Sequence, residues 1–291
     1  MAQKLAFVNV QGGTGKTTTV VNLAGAIHRL YPEKKILIFD MDAQGNAGRA
    51  FGIDVQQDVD NKKTTYNILS GMITAEEAVI KNVANNQNID LIPANSDLNF
   101  LERDAIESIG KYFYQKKSNV ENFNFSKFYF DQLEGKIDNI DQQYDFIFFD
   151  TPPELKSVTS SVLSVANTVM IPFEADAFSL DGVRNIIDRI GQIKESFNLN
   201  LKIGGFIVNK YQGQTRVQPQ FVRALSTYAN VTKIPFMKHK IPSSIHIQET
   251  NGDQPATLLV KDIKNFNKDN KAIKSYFDLT QELIQRNIIS I

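Results

Sequence analysis

The segment Val10-Gln11-Gly12-Gly13-Thr14-Gly15-Lys16-Thr17-Thr18 decides how this chain is read. It follows a short apolar run, Lys4 to Val10. It precedes a stretch with Val20, Val21, Leu23, Ala24, Ile27 and Leu30 at the spacing of one helical face. Strand, glycine loop and helix in that order form a turn suited to phosphate. Gly12, Gly13 and Gly15 let the backbone take positive φ and approach an anion closely, and successive N–H groups then point inward as a nest. In such a loop Lys16 reaches the β and γ phosphates and the Thr17 hydroxyl completes a magnesium shell. The helix predicted from Thr17 adds its positive end. The strict pattern G-x-x-x-x-G-K-[ST] is not met, because Val10 holds the first glycine place. A plain glycine turn is the competing reading, and Gly-Lys-Thr-Thr at a strand–helix junction favours phosphate.

Two acidic strand ends lie further along. Ile36-Leu37-Ile38-Phe39-Asp40-Met41-Asp42 closes in Asp-x-Asp, and Phe146-Ile147-Phe148-Phe149-Asp150 closes in a single aspartate. A lone aspartate after a strand is usually a turn or cap residue. Three such acids beside one phosphate loop point instead to a shared magnesium–water site, since ligands gather at the carboxyl ends of strands in an open α/β sheet. Similar apolar runs occur at Ile89–Pro93, Thr168–Pro172 and Lys202–Val208. Runs that do not alternate suit strands buried on both faces. Their alternation with helical stretches predicts an α/β fold with a doubly wound, mainly parallel sheet and helices on both faces. One domain spanning 1–291 is the simplest division, with an insertion at about 111–142, where Phe, Tyr, Lys and Asn mix without clear period.

The bulk composition narrows the classes. Lys plus Arg and Asp plus Glu both total 32, so the chain lacks the basic excess of a constitutive nucleic-acid coat. The absence of cysteine removes disulfides, thiolate zinc and iron–sulfur clusters. No apolar run is long enough to span a bilayer, and Met1 to Val10 reads as a strand, not a cleavable signal. A cytoplasmic protein is expected.

Gln11 to Thr19, Asp40-Met41-Asp42-Ala43-Gln44-Gly45-Asn46 and Asp150-Thr151-Pro152-Pro153 together resemble the ParA/MinD family of deviant Walker A ATPases, closest to its ParA partition branch. Thr65–Gly71, Leu91–Leu98, Pro172–Gly182 and Ile241-Pro242 extend the likeness, which covers roughly 1–110 and 143–260. The resemblance implies ATP and Mg²⁺ as ligands, with Gln11, Gly12, Gly13, Thr14, Gly15, Lys16, Thr17 and Thr18 around the nucleotide. It makes Lys16 the phosphate lysine, Asp42 the acid that positions the attacking water, and Thr17, Asp40 and Asp150 the magnesium side. Asn209 and the loop after Pro242 fall on the adenine side. It further implies an ATP-dependent homodimer, DNA binding without sequence preference, hydrolysis that is slow until a ParB-like or adaptor partner stimulates it, and a nucleoid-associated state. Candidate DNA contacts are Lys210, Arg216, Arg223, Lys233, Lys238 and Lys240.

The match breaks at one place. The family's loop normally opens with a lysine that crosses to the partner's phosphates, and here that place is Gln11. Glutamine donates a hydrogen bond but carries no charge to set against phosphate. Lys156, six residues past Asp150, is a candidate substitute, as a later lysine is in some carboxysome-positioning relatives; an idle surface lysine is the alternative. Three other functions stay open. A MinD-like membrane cycle would use the tail Lys271–Ile291, although Asp278 and Glu282 dilute its basic character and packing on the domain explains its apolar stripe more simply. A metabolic P-loop enzyme would need a substrate pocket of which the sequence carries no signature. An ATP clamp that barely hydrolyses is compatible with Gln11 but sits poorly with Asp42.

Overall fold

Each of the six apolar runs forms a strand, because alternate residues of every run find an apolar layer on opposite sides. The computed structural model describes residues 1–56, 59–60, 62–116, 132–175, 180–213, 217–244 and 270–291. Its strands are β1 (Gln3–Phe7), β2 (Ile36–Asp40), β3 (Ile89–Ile92), β4 (Phe146–Asp150), β5 (Thr168–Glu174) and β6 (Lys202–Asn209). They form one parallel sheet in the order β3-β2-β4-β1-β5-β6. Leu5, Phe7, Ile36, Ile38, Phe146 and Phe148 face one core. Ala6, Leu37, Phe39, Ile147 and Phe149 face the other.

The helices are α1 (Lys16–Leu30), α2 (Asn46–Ala50), α3 (Thr65–Leu69), α4 (Ala75–Ala78), α5 (Leu101–Lys116), α6 (Asp138–Asp141), α7 (Ser157–Val165), α8 (Leu180–Phe197), α9 (Val217–Thr232) and α10 (Lys271–Gln285). Helices α1, α2 and α10 cover the first core, and α7, α8 and α9 lie over the second. This is the doubly wound arrangement predicted.

Two differences from the sequence reading have local causes. Helix α1 begins at Lys16, with Gly15 as its N-cap at φ 82° and no side chain capping it, so the helix reaches one residue further into the loop than expected. Strand β1 ends at Phe7, not Val10. Val8 still donates to the Met170 carbonyl, but Asn9 then turns its side chain to the Pro172 carbonyl at 2.6 Å and accepts from the Gln11 N–H at 3.0 Å. The asparagine therefore ends the strand and starts the loop.

Residues 117–131 of the expected insertion lie outside the described residues. Its later part belongs to the core: Leu133, Ile137 and Ile140 are buried beneath the sheet's second face, and Leu133 N–H donates to Ser161 Oγ.

The tail helix α10 puts Ile273, Tyr276, Leu279 and Leu283 into the first core beside α1. Its apolar stripe is therefore consumed by packing. No helix among the described residues is long and apolar enough to cross a membrane. Leu279 is fully buried at this contact, so Leu279→Ala should lower the unfolding free energy by about 2–5 kcal/mol in urea titrations. An effect below about 0.5 kcal/mol would mean that α10 does not anchor the domain.

Candidate functional site

Parallel pairing gathers the chemistry at one edge of the sheet. Strand β4 lies between β1 and β2, and its register sets Asp150 level with Asp40 on one side and with Phe7 on the other. The loop after β1 and the segments that follow β2 and β4 therefore share one cleft of about 660 Å³, lined by Gly12 to Thr18, Asp42, Pro152, Pro153 and Lys156, with Asp40 and Asp150 fully buried at the strand ends behind it.

The loop is held by its own polar atoms. Gly13 and Gly15 have φ values of 76° and 82°. A Cβ on Gly15 would stand 2.8 Å from Asn209 Nδ2, so the position excludes a side chain on two grounds. Lys16 is almost fully buried and donates to the carbonyls of Asn9 and Gln11, both at 3.2 Å. Burial lowers its pKa, while Asp150 and Asp42 pull it back up. The Thr14 and Thr18 backbones line the cleft with the glycines. The Gln11 N–H and carbonyl are engaged within the loop, and the residue is not part of the cleft wall.

The three acids differ in what holds them. Asp40 is fully buried and accepts from the N–H groups of Asp42 at 3.0 Å and Ala47 at 3.1 Å. Its carboxylate thus shapes the 40–47 loop and aims Asp42 into the cleft. Asp42 is half-buried and accepts from Gln44 N–H at 3.0 Å. Burial raises its pKa, against the Gln44 N–H and Lys16. Asp150 is fully buried, and among the described residues neither of its carboxylate oxygens has a hydrogen-bond donor in good geometry. Burial pushes its pKa up to about 7, although the nearby Thr17 hydroxyl and Lys16 favour the charged form. Asp40 is raised as well, by burial first and then by Asp150.

A buried carboxylate without donors beside a hydroxyl is a place for a hard cation or its waters. Among the described residues no cluster of three or more acidic, histidine or cysteine side chains forms a metal cage. Magnesium fits such a place, because it keeps several waters and takes only one or two protein ligands beside phosphate.

Asn209 and Pro242 lie on the other flank. Asn209 is buried and donates from Nδ2 to the Thr14 carbonyl at 2.8 Å and to Thr19 Oγ1 at 2.9 Å, so it braces the loop from behind. Its Oδ1 is buried without a hydrogen-bond donor. Pro242 pairs with Tyr211, and Ile241 N–H donates to the Val208 carbonyl, which ties that segment to the end of β6.

The basic residues do not form one set. Lys156 is exposed on the cleft wall and pairs with Glu154 at 2.7 Å. Arg223, Lys233 and Lys238 are exposed, Lys240 Nζ lies 5.1 Å from the Tyr211 ring centroid, and Arg216 lies outside the described residues. Lys210, one of the expected DNA candidates, lines the same cleft as the glycine loop. Sequence reasoning missed it there because its direction follows from backbone conformation, which no local pattern signals. Asn9 was missed for the same kind of reason, being hidden in an apolar run.

A family model described as "AAA domain" (AAA_31) matches residues 2–203. The chain belongs to that family. It is similar over its whole length to a "ParA family protein" of Mycoplasma pneumoniae, at 26% identity over 287 residues, covering 96% of each chain. It is likewise similar to the "Chromosome-partitioning ATPase Soj" of Treponema pallidum, at 28% identity over 290 residues and 99% of each. Among solved structures, a Cyanothece McdA–ATP complex superposes with a TM-score of 0.74 at 17% identity, covering 100% of this chain and 98% of that one. The cobyrinic acid a,c-diamide synthase of Mycobacterium smegmatis with ADP and magnesium gives 0.73 at 20%, covering 99% and 96%. At those identities the structures establish the fold alone. The family and its full-length relatives support a ParA-like P-loop ATPase.

The buried acids make stability pH-dependent. Asp150's folded pKa of about 7 lies above its unfolded value, so the stability associated with its protonated form is present below the ordinary carboxylate pKa of about 3.9 and is lost as pH rises toward 7. Asp150→Asn should therefore melt higher than the parent near pH 8, with the gap shrinking at about pH 5. A gap that stays constant across thermal scans at both pH values would count against an unpaired buried charge.

Proposed function

We propose that this chain is a ParA-like ATPase acting as a nucleotide-dependent switch. The observation that carries the reading is the pairing of Lys16 and Asp42 in one cleft with the glycine loop, with the buried Asp150 close enough to act on the Lys16 charge. In this reading ATP binds with its phosphates against Gly12 to Thr18, in contact with Lys16. Thr17 and Asp150 hold Mg²⁺ directly or through water, with Asp40 supporting them. The ion, when bound, supplies charge neutralisation at the phosphates. Asp42 orients the attacking water, and burial, which raises its pKa, makes it a better proton acceptor than a free carboxylate. Asn209, which braces the loop, and the segment after Pro242 border the base.

The rest of the cycle follows from the kinship with partition proteins. Two ATP-bound copies associate, the dimer binds DNA without sequence preference and so associates with the nucleoid in the cytoplasm, and a ParB-like or adaptor protein stimulates a slow hydrolysis. The cargo is a plasmid, chromosome or other body. Gln11 makes the loop deviant even within its family, and Lys156, on the cleft wall, is the substitute cation for association. Arg223, Lys233 and Lys238 offer exposed charge for DNA, and Arg216 is a further candidate by sequence. The single-domain division with one insertion is kept as part of this proposal. A membrane cycle is disfavoured by the buried stripe of α10.

Phosphate release, with and without DNA, and light scattering of the ATP-bound state test the whole. Lys16→Ala should abolish nucleotide binding, while Asp42→Ala should keep binding and lose turnover by about 10²-fold or more. Lys156→Ala should weaken ATP-driven association, and Gln11→Lys should restore it. A parent chain that stays monomeric with ATP, or an Asp42→Ala variant that turns over normally, would sink the reading.

A further inference from the structure

We infer that Lys210 is a second nucleotide-contacting lysine, approaching the phosphates from the β5–β6 side while Lys16 approaches from beneath the loop. The inference rests on the nucleotide reading above and deepens it. Lys210 is the first residue after β6, and its backbone sits at φ 50°, a left-handed conformation uncommon for a lysine. That turn carries the side chain over the loop, with Nζ 3.9 Å from where a Cβ on Gly13 would lie. The residue forms part of the same cleft wall as Gly12 to Thr18.

Among the described residues the ammonium pairs with Glu174 Oε2 at 2.9 Å, at the end of the neighbouring strand β5. Both side chains are partly exposed, at 37% and 25%. A pair so placed contributes little to folding and gives no reason for a strained backbone. A cation held beside an anion-binding loop does give one. The pair also carries no net charge, so Glu174 restrains the ammonium at the cleft until a stronger anion competes for it. A phosphate offers charge-assisted hydrogen bonds of greater strength than a half-exposed carboxylate. The geometry also answers the charge deficit left by Gln11, because Lys210 adds a cation from the same subunit, close to the loop's middle glycine.

The ligand class is a nucleoside di- or triphosphate, recognised here through its phosphates. The test is calorimetric titration of the full chain, with magnesium, by ATP, ADP and inorganic tripolyphosphate. Lys210→Gln should weaken all three by about tenfold, and Lys210→Arg should recover most of the loss. Glu174→Gln should free the ammonium and tighten tripolyphosphate binding by roughly threefold. Melting of each variant without ligand separates a folding defect from a contact. Should Lys210→Gln fail to fold, the Glu174→Gln arm decides: unchanged tripolyphosphate affinity overturns the inference. A Lys210→Gln loss confined to ATP and ADP, with tripolyphosphate unaffected, would place the lysine on the ribose or base and overturn the phosphate contact. Parent-like affinities in Lys210→Gln overturn it outright while leaving the phosphate loop standing. A parent chain that binds none of the three probes overturns the phosphate loop and this inference together.

Discussion

The site depends on the position of β4 between β1 and β2. Because the three strands run parallel and in register, Asp150 stands beside Asp40 and beside Phe7, the last residue of β1. No turn or cap could bring together residues separated by more than a hundred positions. The hydrophobic runs do so indirectly: Phe146 and Phe148 fill one core, Ile147 and Phe149 the other, and a slip of one residue would exchange the two sets. Packing therefore fixes the register, and the register fixes the distance between acids and loop.

That proximity carries an electrostatic cost. Two fully buried carboxylates on adjacent strands disfavour each other's charge, and burial disfavours both. The backbone N–H groups of Asp42 and Ala47 relieve Asp40. Nothing comparable relieves Asp150, whose oxygens lie beside Thr17 and Lys16 without a well-formed donor. The two acids are thus not equivalent: one shapes the loop that carries Asp42, and the other keeps coordination capacity in reserve. Their sequence contexts are nearly identical, each ending an apolar run, so only the surroundings separate their roles.

Much of the fold was legible because its signals are local. Six apolar runs gave six strands, and the stripe from Ile273 to Leu283 gave a helix whose apolar face is buried on α1. Gly-Lys-Thr at a strand–helix junction placed the loop. The strand order was beyond reach, since crossovers over long segments leave no periodic trace. So was the bracing of the loop by Asn209, which joins residues nearly two hundred positions apart. The place of Lys210 on the cleft wall was also beyond reach, because a single positive φ directs it there and lysine gives no hint of that conformation. Asn9 was misread as strand because one polar residue among apolar neighbours does not disturb a short pattern.

Charge balance links these details to Gln11. Lys16 stands near Asp42 and Asp150, with Asp40 beside Asp150, while Lys210 and Lys156 enter the cleft already paired with Glu174 and Glu154. With the acids ionised, the protein's own contribution is negative, which is a poor surface for a polyanion unless cations arrive with it or are released to it. A divalent ion answers on the β2–β4 side, where Asp150 is undersupplied with donors. On the β5–β6 side only a lysine that exchanges its carboxylate for phosphate can answer, and Lys210 is the one the backbone brings there. A glutamine at position 11 is then tolerable in one subunit, because the loop does not need to import its second cation from a partner to hold a nucleotide. In the proposed dimer a partner's contribution falls to the exposed wall at Lys156, which would leave nucleotide binding and association to different lysines.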